Sequence, residues 1–294
     1  MIVRVLGSAA GGGVPQWNCA CANCRAAREG RAPRRLQSSF AVSATGERWW
    51  LVNCSPDVAQ QIEATPALQP RAGRGTPIAG MLFTDANVDH VGGLAVLRQA
   101  GGHAFELYST EIVRSLATAQ RAFSPFAEAP HAWHAISPGE RFALDGLSVT
   151  VIEIGGATPG YDGRTPHPQA VVAFEIESAV RDRRALFAPV YPEVSPALRE
   201  AAGRASVAFL DGSFWSDAEL ATVDVPKSAR SLGHLPIGGP GGSLSTLGPV
   251  PAGSRRFFAH LNNTNPALDP DSPARAALDH AGTEITEDGL SFEL

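Results

Sequence analysis

Phe83-Thr84-Asp85-Ala86-Asn87-Val88-Asp89-His90-Val91-Gly92-Gly93-Leu94 joins an apolar run, Ile78 to Thr84, to a helical one, His90 to Gln99. A strand that leaves through alternating polar residues and turns into a helix is a building unit of layered α/β folds. Along the extended exit, residues 85, 87 and 89 point to one side and His90 follows at the turn. Oxygen and nitrogen donors from Asp85, Asn87, Asp89 and His90 can therefore converge on a metal ion. The plainer reading makes Asp89 a helix cap and His90 a satisfied core histidine. Gly92 and Gly93 weaken a helix, a cost that a purely structural helix has little reason to bear, but they let its first turn approach other backbone closely.

Working outward, Ile2 to Leu6, Ser38 to Ala44, Arg48 to Val52, Leu147 to Ile154, Ala170 to Ile176, Ala185 to Ala188, Val207 to Leu210 and Arg256 to Ala259 read as further strands. Helices are expected over Asp57 to Ala64 and after Ser109, Pro196 and Ser272, each with a cap or an early proline. This alternation predicts an α/β or α+β layered fold, with a sandwich of sheets flanked by helices. Gly155 to Pro168 and Pro236 to Gly253 are too irregular for either element and read as binding loops or lids.

A second constellation lies near the N-terminus. Cys19, Cys21 and Cys24 fall within six residues, too close for all three to pair as disulfides but well spaced for one soft tetrahedral ion such as zinc. Buried or incidental cysteines are the alternative. His234 is the candidate fourth ligand, completing a Cys₃His set, or else an active-site hydrogen-bond donor beside the glycine-rich lid. Cys54 reads as a small buried hydrophobe.

The 294 residues carry 44% hydrophobic side chains and a net charge of -5, from 24 basic and 29 acidic groups. That balance offers no broad positive field for nucleic acid. The first apolar run is broken by Arg4 and too short for a signal-peptide core, and no later run reaches a membrane span, so a cytoplasmic protein without membrane insertion is expected. The dense cations Arg25, Arg28, Arg31, Arg34 and Arg35 read as a solvated surface segment, or as a grip for substrate carboxylates.

Asp85-x-Asn87-x-Asp89-His90-x-Gly92-Gly93-Leu94 resembles the His-x-His-x-Asp-His metal motif of the metallo-β-lactamase superfamily, with Asp85 and Asn87 standing where two histidines would be. Leu6 to Gly13 followed by Pro15-Gln16-Trp17-Asn18-Cys19 resembles the pyrroloquinoline quinone (PQQ) biosynthesis protein B family. So do Val52 to Asp57, Phe209 to Trp215, Gly233 to Ile237 and His260 to Pro266, and the likeness runs over nearly the whole chain. It implies one αββα four-layer sandwich domain over residues 1–294, with a cysteine-rich metal loop at about 7–35. It also implies that Asp211 and His260 join Asp89 and His90 as catalytic metal ligands; the superfamily's further histidine has no clear counterpart, since His167 lies in a Pro-flanked loop.

Two histidines and a carboxylate with open positions form the set associated with non-haem iron and oxygen chemistry. The resemblance implies a part in making PQQ, by iron- and oxygen-dependent hydroxylation of the tyrosine ring of a Glu-Tyr-derived precursor. Fe(II) or another divalent metal would occupy the Asp/His site and a structural zinc the cysteines. The implied partners are PQQ or its precursor and other PQQ biosynthesis proteins; the oligomeric state is open, a homodimer included. Two other readings stand: a non-catalytic carrier or export factor for PQQ, and a metal-hydroxide hydrolase.

Overall fold

The strands follow from alternation that places one side chain inward and the next outward. A computed structural model describes residues 1–98, 102–178 and 182–294. Its first six strands are β1 (Ile2–Gly7), β2 (Ser39–Ser43), β3 (Trp49–Val52), β4 (Ile78–Leu82), β5 (Glu106–Ser109) and β6 (Ala132–Ala135). Then come β7 (Arg141–Leu144), β8 (Leu147–Glu153), β9 (Val172–Ser178), β10 (Arg184–Ala188), β11 (Val207–Asp211), β12 (Arg255–Ala259), β13 (Thr283–Ile285) and β14 (Ser291–Glu293). The helices are α1 (Ala22–Arg28), α2 (Val58–Glu63), α3 (Val88–Val91), α4 (Leu94–Leu97), α5 (Glu111–Thr118), α6 (Pro196–Arg204), α7 (Ser243–Thr246) and α8 (Pro273–His280).

Two mixed sheets result, ordered β14-β1-β2-β3-β4-β5-β6 and β13-β12-β11-β10-β9-β8-β7. In the first, β3 to β6 pair in parallel; in the second, β10 to β13 do. Phe209 and Phe257 point into the space between the sheets, whereas their neighbours Leu210 and Phe258 point into an outer layer with Leu198 of α6 and Leu278 of α8. Trp50 and Leu51 divide in the same way, Leu51 packing with Val58 of α2 and Val113 of α5. Sheets apolar on both faces need cover on both, which gives the α/β sandwich. No helix among the described residues is long and apolar enough to cross a membrane.

Thr110, Ser195 and Ser272 cap α5, α6 and α8 through their hydroxyls, and proline opens the last two, as the sequence predicts. The helix expected over His90 to Gln99 is instead two short ones, α3 and α4, separated by Gly92 and Gly93; Gln99 lies outside the described residues. A Cβ on Gly93 would stand 2.4 Å from the Ser55 carbonyl oxygen, and its own N–H donates to the Cys54 carbonyl at 2.9 Å. The glycines therefore serve close approach rather than helix continuity. The expected strand at 170 to 176 begins two residues later, and β5, β6, β7, β13 and β14 were not foreseen.

Phe209 sits at the centre of the inter-sheet core, with ring centroids 4.8 Å from Phe40, 5.4 Å from Phe187 and 5.6 Å from both Phe257 and Phe292. Phe209→Ala should cost about 3–5 kcal/mol of stability through lost burial and the cavity left behind. Urea unfolding with an unchanged m-value would measure it.

Candidate functional site

β4, β11 and β12 run in parallel segments, and their carboxyl ends deliver Asp85 to His90, Asp211 to Ser213, and His260 to one place, as open α/β sheets commonly do. β4 ends at Leu82, and the chain then folds Asp85 underneath His90 instead of aiming it with Asp89. Asp85 Oδ2 lies 2.6 Å from His90 Nδ1, and Asp85 Oδ1 accepts the Asn87 backbone and side-chain N–H groups at 2.9 and 2.7 Å. Thr84 Oγ1 donates to Asp85 Oδ2 at 2.8 Å and receives the Asn53 amide at 2.9 Å. Asp85 thus orients an imidazole, a different task from the ligand role its sequence position suggests; Asn87 supports Asp85 and borders the cavity beside Asp89.

His90 is fully buried, and its Nε2 has no hydrogen-bond partner. A buried lone pair left alone is costly unless something else meets it. Donor atoms of Asp89, His90 and His260 lie within 4.8 Å of one another, and so do those of Asp211, His234 and His260, so each group could hold a metal ion. Ser213 Oγ lies 2.6 Å from Asp211 Oδ1 and 2.7 Å from His260 Nδ1. A hydroxyl has one proton; given to Asp211, it leaves the oxygen to accept from His260 Nδ1–H. In that tautomer the Nε2 lone pair faces Asp89 Oδ2 at 3.1 Å, two acceptors that a cation between them would reconcile. The donor set therefore fits a divalent metal.

The electrostatics agree. Burial alone would push the Asp89 carboxyl up, but the charge of His90 and the neighbouring His260 imidazole hold it well below the usual range. Burial disfavours charge on His90, yet Asp85 and Asp89 outweigh it and raise that imidazole to about 9. Asp85 and Asp211 are likewise lowered, their burial outweighed by His90 and by His234.

His234 does not join the cysteines. Its Nδ1 lies 2.8 Å from Asp211 Oδ2 and 3.0 Å from Ser213 Oγ, because Gly233, in the left-handed region at φ 89°, turns the ring toward β11. The Cys₃His set is thereby corrected in favour of a hydrogen-bonded imidazole at the Asp/His site. Cys19, Cys21 and Cys24 do converge, with sulfurs within 4.8 Å. Facing them is Asn263, whose Nδ2 lies 3.0, 3.5 and 3.4 Å from the three sulfurs. Burial and the neighbouring thiols push Cys24 up to about 11, so a cation binding there would displace its proton. Arg28 fastens the loop by donating to the Cys19 and Gln16 carbonyls, while Arg35 is buried and donates to Ser8 Oγ at 3.0 Å, so this stretch is not uniformly a solvated surface. Cys54 is buried with its thiol pushed up by desolvation.

The lid at 155 to 168 reaches across the site, Tyr161 donating to the Ala86 carbonyl at 2.7 Å. Ser213 and Asn263 also belong to these two centres, though no motif of their own marks them. Ser213 stands two residues beyond Asp211 and Asn263 three beyond His260, and only that adjacency could have marked them.

A family profile described as the beta-lactamase superfamily domain matches residues 48–260. Coenzyme PQQ synthesis protein B of Stutzerimonas stutzeri is 40% identical over 310 aligned positions that take in all of both chains. The crystal structure of Zn²⁺-bound PqqB from Methylobacterium extorquens superposes with a TM-score of 0.93 at 37% identity, covering 100% of each chain. The chain belongs to the PqqB family of the beta-lactamase superfamily. A diphosphatase from the PhnP family, with a TM-score of 0.65 at 19% identity over 100% of this chain and 97% of that one, shares the fold.

In this PqqB-family chain, Asp85 should matter through His90. Asp85→Asn is expected to weaken divalent-metal affinity about 10–100-fold, as losses of ligand-orienting partners do, with the fold retained; chelator competition measures the affinity and circular dichroism the fold. Glu219, on the loop beyond Ser213, accepts from Thr264 Oγ1 and the Trp215 N–H, both at 2.6 Å, yet burial raises its carboxyl to about 7. A carboxyl raised by folding contributes stability that is complete below its ordinary 4.5 and is lost as pH climbs through about 7. Thermal melts from pH 5 to 8 should show that loss, up to about 3 kcal/mol, and Glu219→Gln should flatten it.

Proposed function

We propose that this chain acts in PQQ biosynthesis as a metal-dependent enzyme that hydroxylates the tyrosine ring of a Glu-Tyr-derived precursor. The observation that carries this reading is the buried, unpartnered Nε2 of His90 beside Asp89 and His260, two imidazoles and a carboxylate of the kind that suits non-haem iron. A ferrous ion held by these residues, with Asp211 alongside, would supply the activation of dioxygen. The protein's share is arrangement. Asp85 fixes the His90 tautomer, Ser213 fixes that of His260, and His234, paired with Asp211, stands at the cavity edge where it can give or take a proton. Phe214 and Leu232 line the same cavity and offer an apolar wall for a phenol ring.

At the second centre the reading places a structural zinc on Cys19, Cys21 and Cys24, with the Asn263 amide donating to the sulfurs beside it. Three sulfur donors, with Cys24 buried among them, suit a structural ion.

Zinc in the Methylobacterium extorquens relative favours a second reading, a hydrolase of an ester or amide with His234 as general base. One experiment separates the readings. Protein loaded anaerobically with Fe(II) and given a Glu-Tyr peptide, dioxygen and ascorbate as two-electron donor should consume oxygen and release a product heavier by one oxygen atom. Neither uptake nor product would overturn the oxygenase; ester or amide cleavage by the zinc-loaded protein would support the hydrolase, and PQQ binding without turnover a carrier. Elemental analysis of His90→Ala should show iron lost and zinc kept.

A further inference from the structure

Of the 24 basic residues in this chain, one is a lysine, Lys227. It follows Val225-Pro226 on an exposed turn and borders a cavity of about 360 Å³, together with Gln16 and Asn18 of the cysteine loop. That cavity shares Phe214, Leu232 and Asn262 with a second of about 190 Å³, which reaches Asp89, His234 and His260. The two cavities adjoin at those residues and are taken together as one trough, with the candidate metal ligands lining one part and an ammonium group the other. The outer cavity falls within the range of small-molecule sites, about 300–1,000 Å³, which combine apolar walls with few polar groups.

Arg164 borders the inner part. Its Nη1 donates to the Leu232 carbonyl at 2.9 Å, which ties the lid to the trough wall. Among the described residues, neither Arg164 nor Lys227 has a carboxylate within ion-pair distance. The acidic groups of the trough are turned inward: Asp89 faces His260, and Asp211 faces His234 and Ser213. What the trough offers a ligand away from the metal corner is positive charge flanking apolar surface.

We propose that Lys227 and Arg164 are carboxylate anchors that select an aromatic, multiply carboxylated ligand, its ring lying against Phe214 and Leu232 and its reacting end at the Asp89–His90–His260 corner. This rests on the proposed function only in taking that corner as the reacting end. The two cations differ in what they read. A guanidinium presents a fixed fork that a carboxylate can meet with two hydrogen bonds, while an ammonium on a flexible stem reads charge with little demand on direction. An outer anchor of the second kind tolerates ligands of differing length.

The single lysine makes the test direct, since an amine-acetylating reagent can mark only Lys227 and the N-terminus. The Met1 amine donates to the Leu294 carbonyl at 2.7 Å, at the end of β1 away from the site, and serves as internal reference. PQQ, an aromatic tricarboxylate, is the charged probe and its trimethyl ester the neutral one. Mass spectrometry should show PQQ slowing acetylation of Lys227 about tenfold or more relative to Met1, and the ester giving no such protection. Lys227→Gln should raise the Kd for PQQ about tenfold, the size of one lost charge-assisted hydrogen bond, and Lys227→Arg should restore most of the affinity. Equal protection by the ester, no binding of PQQ, or an unchanged Kd in Lys227→Gln would overturn the proposal. Protection of Lys227 in iron-loaded protein that hydroxylates nothing would sink the oxygenase reading and leave the anchors standing; hydroxylation with an unchanged KM in Lys227→Gln would do the reverse.

Discussion

The segment from His260 to Asn265 is the constraint on which the rest of the site depends. His260 adopts φ 57°, a left-handed conformation that costs a non-glycine residue on the order of 1–3 kcal/mol and persists only where its surroundings over-determine it. They do. The Leu261 N–H donates to the Ser8 carbonyl and its own carbonyl accepts from Ala10, both at 2.9 Å; the Asn262 N–H donates to the Ser213 carbonyl at 3.0 Å. Asn265 Nδ2 donates to the Gly212 carbonyl at 2.8 Å, and Asn23 Nδ2 bridges the carbonyls of Asn263 and Asn265. The glycine-rich loop, the end of β11 and the cysteine loop thus hold one strip of backbone from three sides. With Asn263 turned onto the three sulfurs, order at the cysteine cluster and orientation of the His260 ring become a single mechanical question.

Charge explains why such a strip needs so many fastenings. Asp85, Asp89 and Asp211 are all buried or nearly so, and all are held ionised against the cost of desolvation. Three carboxylates gathered with three imidazoles in a largely buried place are an arrangement the fold alone has no reason to maintain. A divalent cation lowers that cost, and it would replace the His90 proton in doing so. The hydrogen bonds from Thr84, Asn87 and Ser213 hold the carboxylates in place while spending few of the donor atoms that face the cavity.

The same contrast between local and distant partners decides what could be read from the residues alone. Runs such as Ser39 to Ser43 and Val207 to Asp211 declare themselves because Phe40 and Val42, and Val207 and Phe209, alternate with small or apolar partners along a buried strand. β6, by contrast, lies at the sheet edge with His134 paired to Glu106 of β5 near the surface, so neither strand carries the apolar pattern. The chemistry divides along the same line. Cys19, Cys21 and Cys24 are neighbours and their convergence is legible; the amide that faces them arrives from 239 residues beyond Cys24. His234 and Asp85 are each directed by a turn: Gly233 swings one toward Asp211, and the bend at Asp85 to Asn87 tucks the other beneath His90. Alternation places side chains only while the backbone stays extended, and β4 ends three residues before Asp85.

Replacing two motif histidines by Asp85 and Asn87 has a further consequence for how many ions the centre can hold. Both candidate ligand groups, Asp89–His90–His260 and Asp211–His234–His260, draw on the same imidazole. A neutral imidazole offers one lone pair, and here Ser213 engages Nδ1 while Nε2 faces Asp89. Filling both groups at once would demand both ring nitrogens of His260, and with them the loss of the Ser213 hydrogen bond that orients the ring. With two histidines present in their usual places a first ion would have donors of its own; with an aspartate already committed to His90 and an amide committed to that aspartate, it has none. One ion beside His90 would therefore fit this geometry, and would leave Asp211 and His234 to handle protons at the edge of the same cavity.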